Sequence, residues 1–412
     1  MIEYHTHTLA NGLRVIAHPN HHSQLGAFNL MYDVGARDEH PDKTGFAHLF
    51  EHLMFGGSAN IPEYDAVAQR MGAENNAFTN NDITNYYLTF PANQLETAFW
   101  LESDRMLQLD FSERSLEVQR HVVIEEFKQR YLNQPYGDVW LQLRPLAYKK
   151  HPYQWATIGK EVSHIENATL ADVEAFFYKH YRPDNAVLAV SGPFAPDHVF
   201  ALAEKWFGGI PASGRPARKL PVEPKQLAER RLVVEAAVPV DALYMAFHMP
   251  GKGKPGFYAT DLLSDVLSRG KSSRLYRRLV KEQGIFSQLQ AYITGDQDPG
   301  LFVINGQLVK GVKMADAEQA VWVELKRLQE ELVATQELEK NLNQIESSLV
   351  FAETQGLNVA MNLCYFTLMG NTSAINNEID HYRAVTVRDL QAQAKQLFTP
   401  QNASILEYHA TA

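Results

Sequence analysis

The chain runs to 412 residues, 45% of them hydrophobic, with a formal net charge of −10. That length exceeds what one hydrophobic core organises, so two domains are expected, and the negative charge argues against nucleic acid and anionic membranes as partners. No apolar run approaches membrane-spanning length, and the single Cys364, set in an apolar stretch, rules out an internal disulfide framework and reads as a buried thiol.

The first residues are already strand-like and carry no apolar signal region, which predicts a cytoplasmic protein, or a periplasmic one whose leader has been removed. His18, His21 and His22 flank a turn at Pro19-Asn20 and read as a solvated hairpin tip. Next comes His48-Leu49-Phe50-Glu51-His52. On a helix this spacing puts two imidazoles on one face, with a carboxylate between them on nearly the same face. A zinc hydrolase needs that set: two neutral nitrogens for the metal, and a carboxylate to take a proton from the activated water. Asp42 or Thr44 is placed to cap this helix, Phe46, Leu49, Phe50, Leu53 and Met54 give it an apolar face, and Gly56-Gly57 ends it. Asn75 to Thr79 reads as a short strand bordered by polar residues.

A tetrahedral site needs a third protein ligand. The pattern from Ser112 to Gln134 predicts one long helix, capped by Ser112 and ended before Pro135. It carries Glu125 and Glu126, which face different directions, so at most one points at the metal. Gln119, Val123 and Glu126 share a half-apolar stripe, which favours Glu126, while Glu125 reads as solvated.

Later residues repeat earlier ones. Thr169, Asp172, Pro183, Asn185 and Ala186 recur at one constant offset as Thr386, Asp389, Pro400, Asn402 and Ala403. The strand around Ala27–Met31 is echoed at Leu243–Phe247. A period this long means duplicated domains. The Pro, Gly and basic residues around 211–226 read as a linker, giving a zinc-bearing domain at 1–210 and a homologous domain at 227–412. The expected fold class is α+β: two halves, each a mainly antiparallel sheet with helices on one side. Matching Gly56 to Gly270 puts Leu262 and Val266 where His48 and His52 stand, so the second half has kept the helix and lost the metal. Gly270-Lys271-Ser272 lacks the earlier glycine of a phosphate loop, because Asp265 stands there.

The chain resembles the pitrilysin/insulinase/mitochondrial-processing-peptidase family in its short bacterial form. The likeness rests on Asn11–Val15, Val34–Glu39, Gly45–Phe55, Asn76–Thr79, Thr84–Tyr87 and Arg120–Glu126, in order along the first half. The resemblance implies a zinc endopeptidase acting on peptides or unfolded segments within two halves closed like a clamshell. It implies one Zn2+ on His48, His52 and Glu126, with Glu51 as general base, and an edge at Asn76, Ala77 and Phe78 that pairs with the substrate as an added strand. Where the family often has a glutamate, Gln119 stands, which bears on the tuning of the ligands around the metal. Many members also have an arginine and, seven residues on, a tyrosine that grip the substrate backbone. After Ser273-Arg274-Leu275-Tyr276 those positions hold Val280 and Ser287. This is similar to the zinc-bearing member of two-subunit forms and implies a homologous partner that supplies Arg-x6-Tyr, a homodimer being the alternative. Arg277, Arg278 or Tyr292 could also substitute. The competing expectation is a non-catalytic scaffold subunit.

Overall fold

The computed structural model describes residues 1–215 and 217–411; Pro216, inside the expected linker, lies outside the described residues. It contains two compact units.

The first unit is built on six strands: β1 (His5–Thr8), β2 (Arg14–Pro19), β3 (Leu25–Tyr32), β4 (Glu74–Thr79), β5 (Thr84–Pro91) and β6 (Ala186–Gly192). Their order is β1-β2-β6-β3-β5-β4, antiparallel except where β2 runs parallel to β6. β3 and β6 lie in the middle and are almost wholly buried, as continuous apolar runs should be. Phe28 on one face of β3 packs on Phe99 and Phe207 of the unit's helices. The opposite face carries Met31 and meets Val359, Leu363 and Cys364 of helix Gly356–Leu368. The Cys364 thiol reaches Val187 O at 3.4 Å, and burial pushes its pKa up to about 12, so it is an inert core group.

The second unit has five strands: β7 (Arg230–Ala236), β8 (Ala242–His248), β9 (Phe286–Ile293), β10 (Leu301–Leu308) and β11 (Ala403–Ala410). Their order, β7-β11-β8-β10-β9, repeats that of the last five strands of the first sheet, down to the single parallel pair, β7 with β11. The repeated residues do the same work twice. Thr169 with Asp172 and Thr386 with Asp389 form matching capping boxes. Asn185 Nδ2 donates to His180 O and Asp33 O; Asn402 Nδ2 donates to Leu397 O and His248 O. The two halves are homologous α+β layers, as the repeat predicts.

Most of each half's helices cover one face of its own sheet. The other face is covered by a borrowed helix. Residues 350–377 pack into the first unit and 131–154 into the second, where Val139 and Leu143 meet Val303 and Leu406. The sequence division at 211–226 and the packing division therefore differ at these two segments. Among the described residues no helix is long and apolar enough to cross a membrane.

Candidate metal centre

The helix Phe46–Leu53 starts on Gly45, whose φ of +88° favours glycine. A Cβ there would meet Ile158 O at 2.6 Å, so packing forbids one as well. Neither Asp42 nor Thr44 caps this helix, contrary to the sequence expectation. Asp42 is exposed, and the buried Thr44 hydroxyl is shared between His164 and the Lys160 N–H. The cap is Glu39. Its carboxylate accepts from the N–H of Gly45 (2.9 Å) and Ala47 (2.8 Å), and from Trp155 Nε1 (3.1 Å). Burial pushes the Glu39 pKa up to about 8, against the pull of those three donors. Glu39→Ala would leave the Gly45 and Ala47 N–H groups without their side-chain acceptor, while Trp155 Nε1 keeps Ala36 O at 2.9 Å, and is expected to cost about 2–4 kcal/mol of stability. A urea midpoint unchanged at constant slope would contradict this.

The apolar side of the helix is fixed from below. Phe50 stacks on Tyr181 at 4.8 Å, and the Tyr86 hydroxyl donates to Phe50 O at 3.0 Å. Tyr86 in turn lies over the guanidinium of Arg105, 4.5 Å from ring to cation, and Arg105 is paired with Glu102 in full burial. The other side presents the imidazoles of His48, which is 9% exposed, and His52, which is half-buried.

The third donor comes from the helix Glu113–Phe127, capped by Ser112, whose hydroxyl accepts the Ser115 N–H at 3.1 Å. The expected single helix to Gln134 changes character at residue 128, where a π turn, Lys128–Leu132, replaces it. Arg130 on that turn donates to Glu126 Oε1 at 3.0 Å. Glu125 is exposed and pairs with Lys128, while Glu126 is turned inward.

His52 Nε2 lies 3.3 Å from Glu126 Oε2, and His48 Nε2 lies 3.6 Å from the same oxygen. Nitrogen and oxygen ligands of a tetrahedral zinc at about 2.0–2.1 Å sit about 3.3–3.4 Å apart. Both separations from the Glu126 oxygen are close to that edge length, and all three donor atoms lie within 4.8 Å of one another. They are also the one group of three such donors among the described residues. Burial pushes His48 down to about 4, so at neutral pH its imidazole is uncharged, the form that can bind a metal. A hydrogen bond from His52 and the charge of Arg130, against the opposing effect of burial, hold Glu126 below its ordinary value, so it is ionised.

Glu51 shares this helix face. Burial pushes its carboxyl up, opposed by hydrogen bonds from the Thr79 hydroxyl and N–H. Thr79 ends β4, which is paired on one side only, so Asn76, Ala77 and Phe78 lie on an edge strand. Asn76 and Phe78 are exposed, and Asn76 Oδ1 accepts the Ala77 N–H at 2.8 Å. Gln119 is not gathered with the three donors; its amide stands near Gly56, beyond the end of the His48 helix. Sequence reasoning missed Glu39, Arg130 and the contact of the Thr79 hydroxyl with Ala47 O of the same helix at 3.5 Å. Glu39 and Thr79 lie inside stretches that carry the family resemblance, which was the available signal.

In the second unit, Leu262 and Val266 are fully buried and Asp265 pairs with Arg269 at 2.8 Å, so that helix presents no imidazole. Val280 packs against the core, and the Ser287 hydroxyl donates to Gln307 O. Of the possible substitutes, Arg278 is bound to Glu324 and Tyr292 packs on the sheet, while Arg277 is half exposed.

Fold and donor set together define a zinc-peptidase-like protein. The profile described as Insulinase (Peptidase family M16) matches residues 14–159, and that of the Peptidase M16 inactive domain matches residues 167–345. The zinc protease PqqE of Helicobacter pylori is 31% identical over 339 residues, covering 81% of this chain and 76% of that protein. An uncharacterised zinc protease of Bacillus subtilis, YmxG, is 25% identical, covering 97% of each. The chain belongs to the insulinase family of peptidases, M16. Among solved structures, a protease from Helicobacter pylori superimposes with a TM-score of 0.93 at 27% identity, covering 99% of this chain and all of that one. A peptidase M16 inactive domain from Pseudomonas fluorescens shares the fold at a TM-score of 0.90 and 19% identity, covering 100% of this chain and 98% of that one.

Proposed function

We propose that this chain is a zinc endopeptidase for peptides and unfolded segments, with His48, His52 and Glu126 holding one zinc ion and Glu51 acting as general base. The observation that carries the reading is the convergence of two imidazole nitrogens and one carboxylate oxygen at 3.3 and 3.6 Å. Zinc bound there supplies a Lewis acid that acidifies water and polarises the scissile carbonyl. Glu51 takes the water's proton and later passes it to the leaving amine. Asn76, Ala77 and Phe78 receive the substrate backbone as an added strand. Gln119 adjusts the surroundings of the site without touching the ligands.

A homologous partner subunit carrying Arg-x6-Tyr is proposed to complete the substrate grip, because Val280 and Ser287 offer neither an arginine nor a tyrosine there. This chain covers only 48% of the periplasmic protease PqqL of Escherichia coli, to which it is similar in fold. A longer chain with room for a second such unit supports a paired arrangement. The competing reading, a non-catalytic scaffold subunit, draws on the inactive-domain profile over residues 167–345. Against it, all four chemical residues stand within the stretch matched by the insulinase profile.

The test is turnover of quenched peptides by the zinc-loaded chain, mixed with a homologous subunit. Activity is expected to vanish with a chelator and to return with added zinc. Turnover indifferent to the chelator, or no turnover in any mixture, contradicts the proposal.

A further inference from the structure

The two oxygens of the Glu126 carboxylate have different neighbours. Oε2 faces the imidazoles, 3.3 Å from His52 Nε2 and 3.6 Å from His48 Nε2. Oε1 is ion-paired with Arg130 Nη1 at 3.0 Å. Arg130 follows Glu126 by four residues, about one helical turn, so the two share a face. It stands on the π turn Lys128–Leu132, and such departures from the regular helix are frequent at functional sites. The other cation of that turn, Lys128, pairs instead with Glu125 at 2.8 Å. The Arg130 side chain is 69% exposed, against 18% for Glu126, and an exposed pair contributes little stability. What the pair does fix is which carboxylate oxygen stays free.

We infer that Arg130 is a positioning residue for the metal: by holding Oε1 it leaves Oε2 alone to ligate, so that Glu126 binds through one oxygen. This deepens the proposed function and rests on its metal assignment. A catalytic zinc takes three protein ligands and keeps a further position for water or substrate. A carboxylate that ligated through both oxygens would intrude on that position. Arg130 therefore keeps the second oxygen away from the place where water is activated. It also orients the carboxylate in advance, so metal affinity depends on it as well.

The experiment needs no turnover. Zinc affinity is measured by competition with a chromophoric chelator. The visible spectrum of the Co2+-loaded chain reports coordination, because four-coordinate Co2+ absorbs more strongly than higher-coordinate Co2+. Arg130→Met keeps the aliphatic stem and removes the guanidinium. It is expected to weaken zinc binding about 10-fold or more, the usual effect of losing a group that orients a ligand, and to lower the cobalt absorption. Arg130→Lys returns a cation at helical pairing distance and should bring zinc affinity back to within about threefold of wild type. Lys128→Met removes a charge from the same turn and should leave both readouts unchanged. Melting temperatures check that each variant folds. An unchanged cobalt spectrum, or zinc affinity within about twofold of wild type, in Arg130→Met overturns the inference. So does a loss of affinity that Arg130→Lys shares in full or that Lys128→Met reproduces. Wild type that binds no zinc overturns the metal assignment, and this inference with it. If Arg130→Met fails to fold, Arg130→Ala replaces it with the same expectations.

Discussion

Glu51→Gln is expected to keep zinc and fold while kcat falls by at least about 100-fold, the usual lower range for general-base catalysis. The amide copies the carboxylate's shape but cannot accept the water's proton near neutral pH. The fold has little reason to notice. Glu51 is half-buried on the site's face of its helix, and that helix is held by Glu39 at its start and by Phe50 beneath. Steady-state kinetics beside metal analysis decide the matter. A kcat within a few fold of wild type, at full zinc content, would remove Glu51 from the chemistry.

The second large effect concerns the missing grip. The purified chain alone, or as a homodimer, should bind zinc yet cleave peptides poorly. Donors that hold the scissile bond and meet the developing oxyanion are each worth about 10²–10³ in rate. Val280 is packed into its own core and Ser287 is spent on Gln307 O, so neither is free to provide such a donor. Arg278 is engaged by Glu324. Adding a homologous subunit that carries Arg-x6-Tyr should raise kcat/KM by about 10²-fold or more. Full activity of the single chain, unaffected by any added subunit, would show that the substrate is gripped by other residues, with Arg277 the first to test.

How much of this is legible in the sequence depends on how local each feature is. The His48–His52 spacing follows from helix periodicity and needs no fold to read it. Glu126 is favoured over Glu125 by its stripe with Gln119 and Val123, and in the fold it faces the imidazoles while Glu125 pairs with Lys128. The duplication is visible because the capping Thr and Asp and the Asn that ties two backbone carbonyls do structural work that tolerates little change. The Glu39 cap is not legible, since it acts from six and eight residues away across a turn that sequence patterns do not describe. The π turn at Lys128–Leu132 is hidden because apolar spacing alone does not separate it from a continuing α-helix. The borrowed helices are hidden for a different reason. An apolar stripe states that a helix packs, and leaves open which sheet it packs on.

The most direct test of the metal assignment is the zinc content of Glu126→Gln measured beside Glu125→Gln. Both changes remove one charge from the same helix, and they differ in which side chain faces the imidazoles. Glu126→Gln is expected to retain zinc much more weakly, because a neutral amide is a poorer ligand than a carboxylate, while Glu125→Gln keeps the metal at the wild-type level. Equal retention in the two variants, or loss in Glu125→Gln alone, would contradict it.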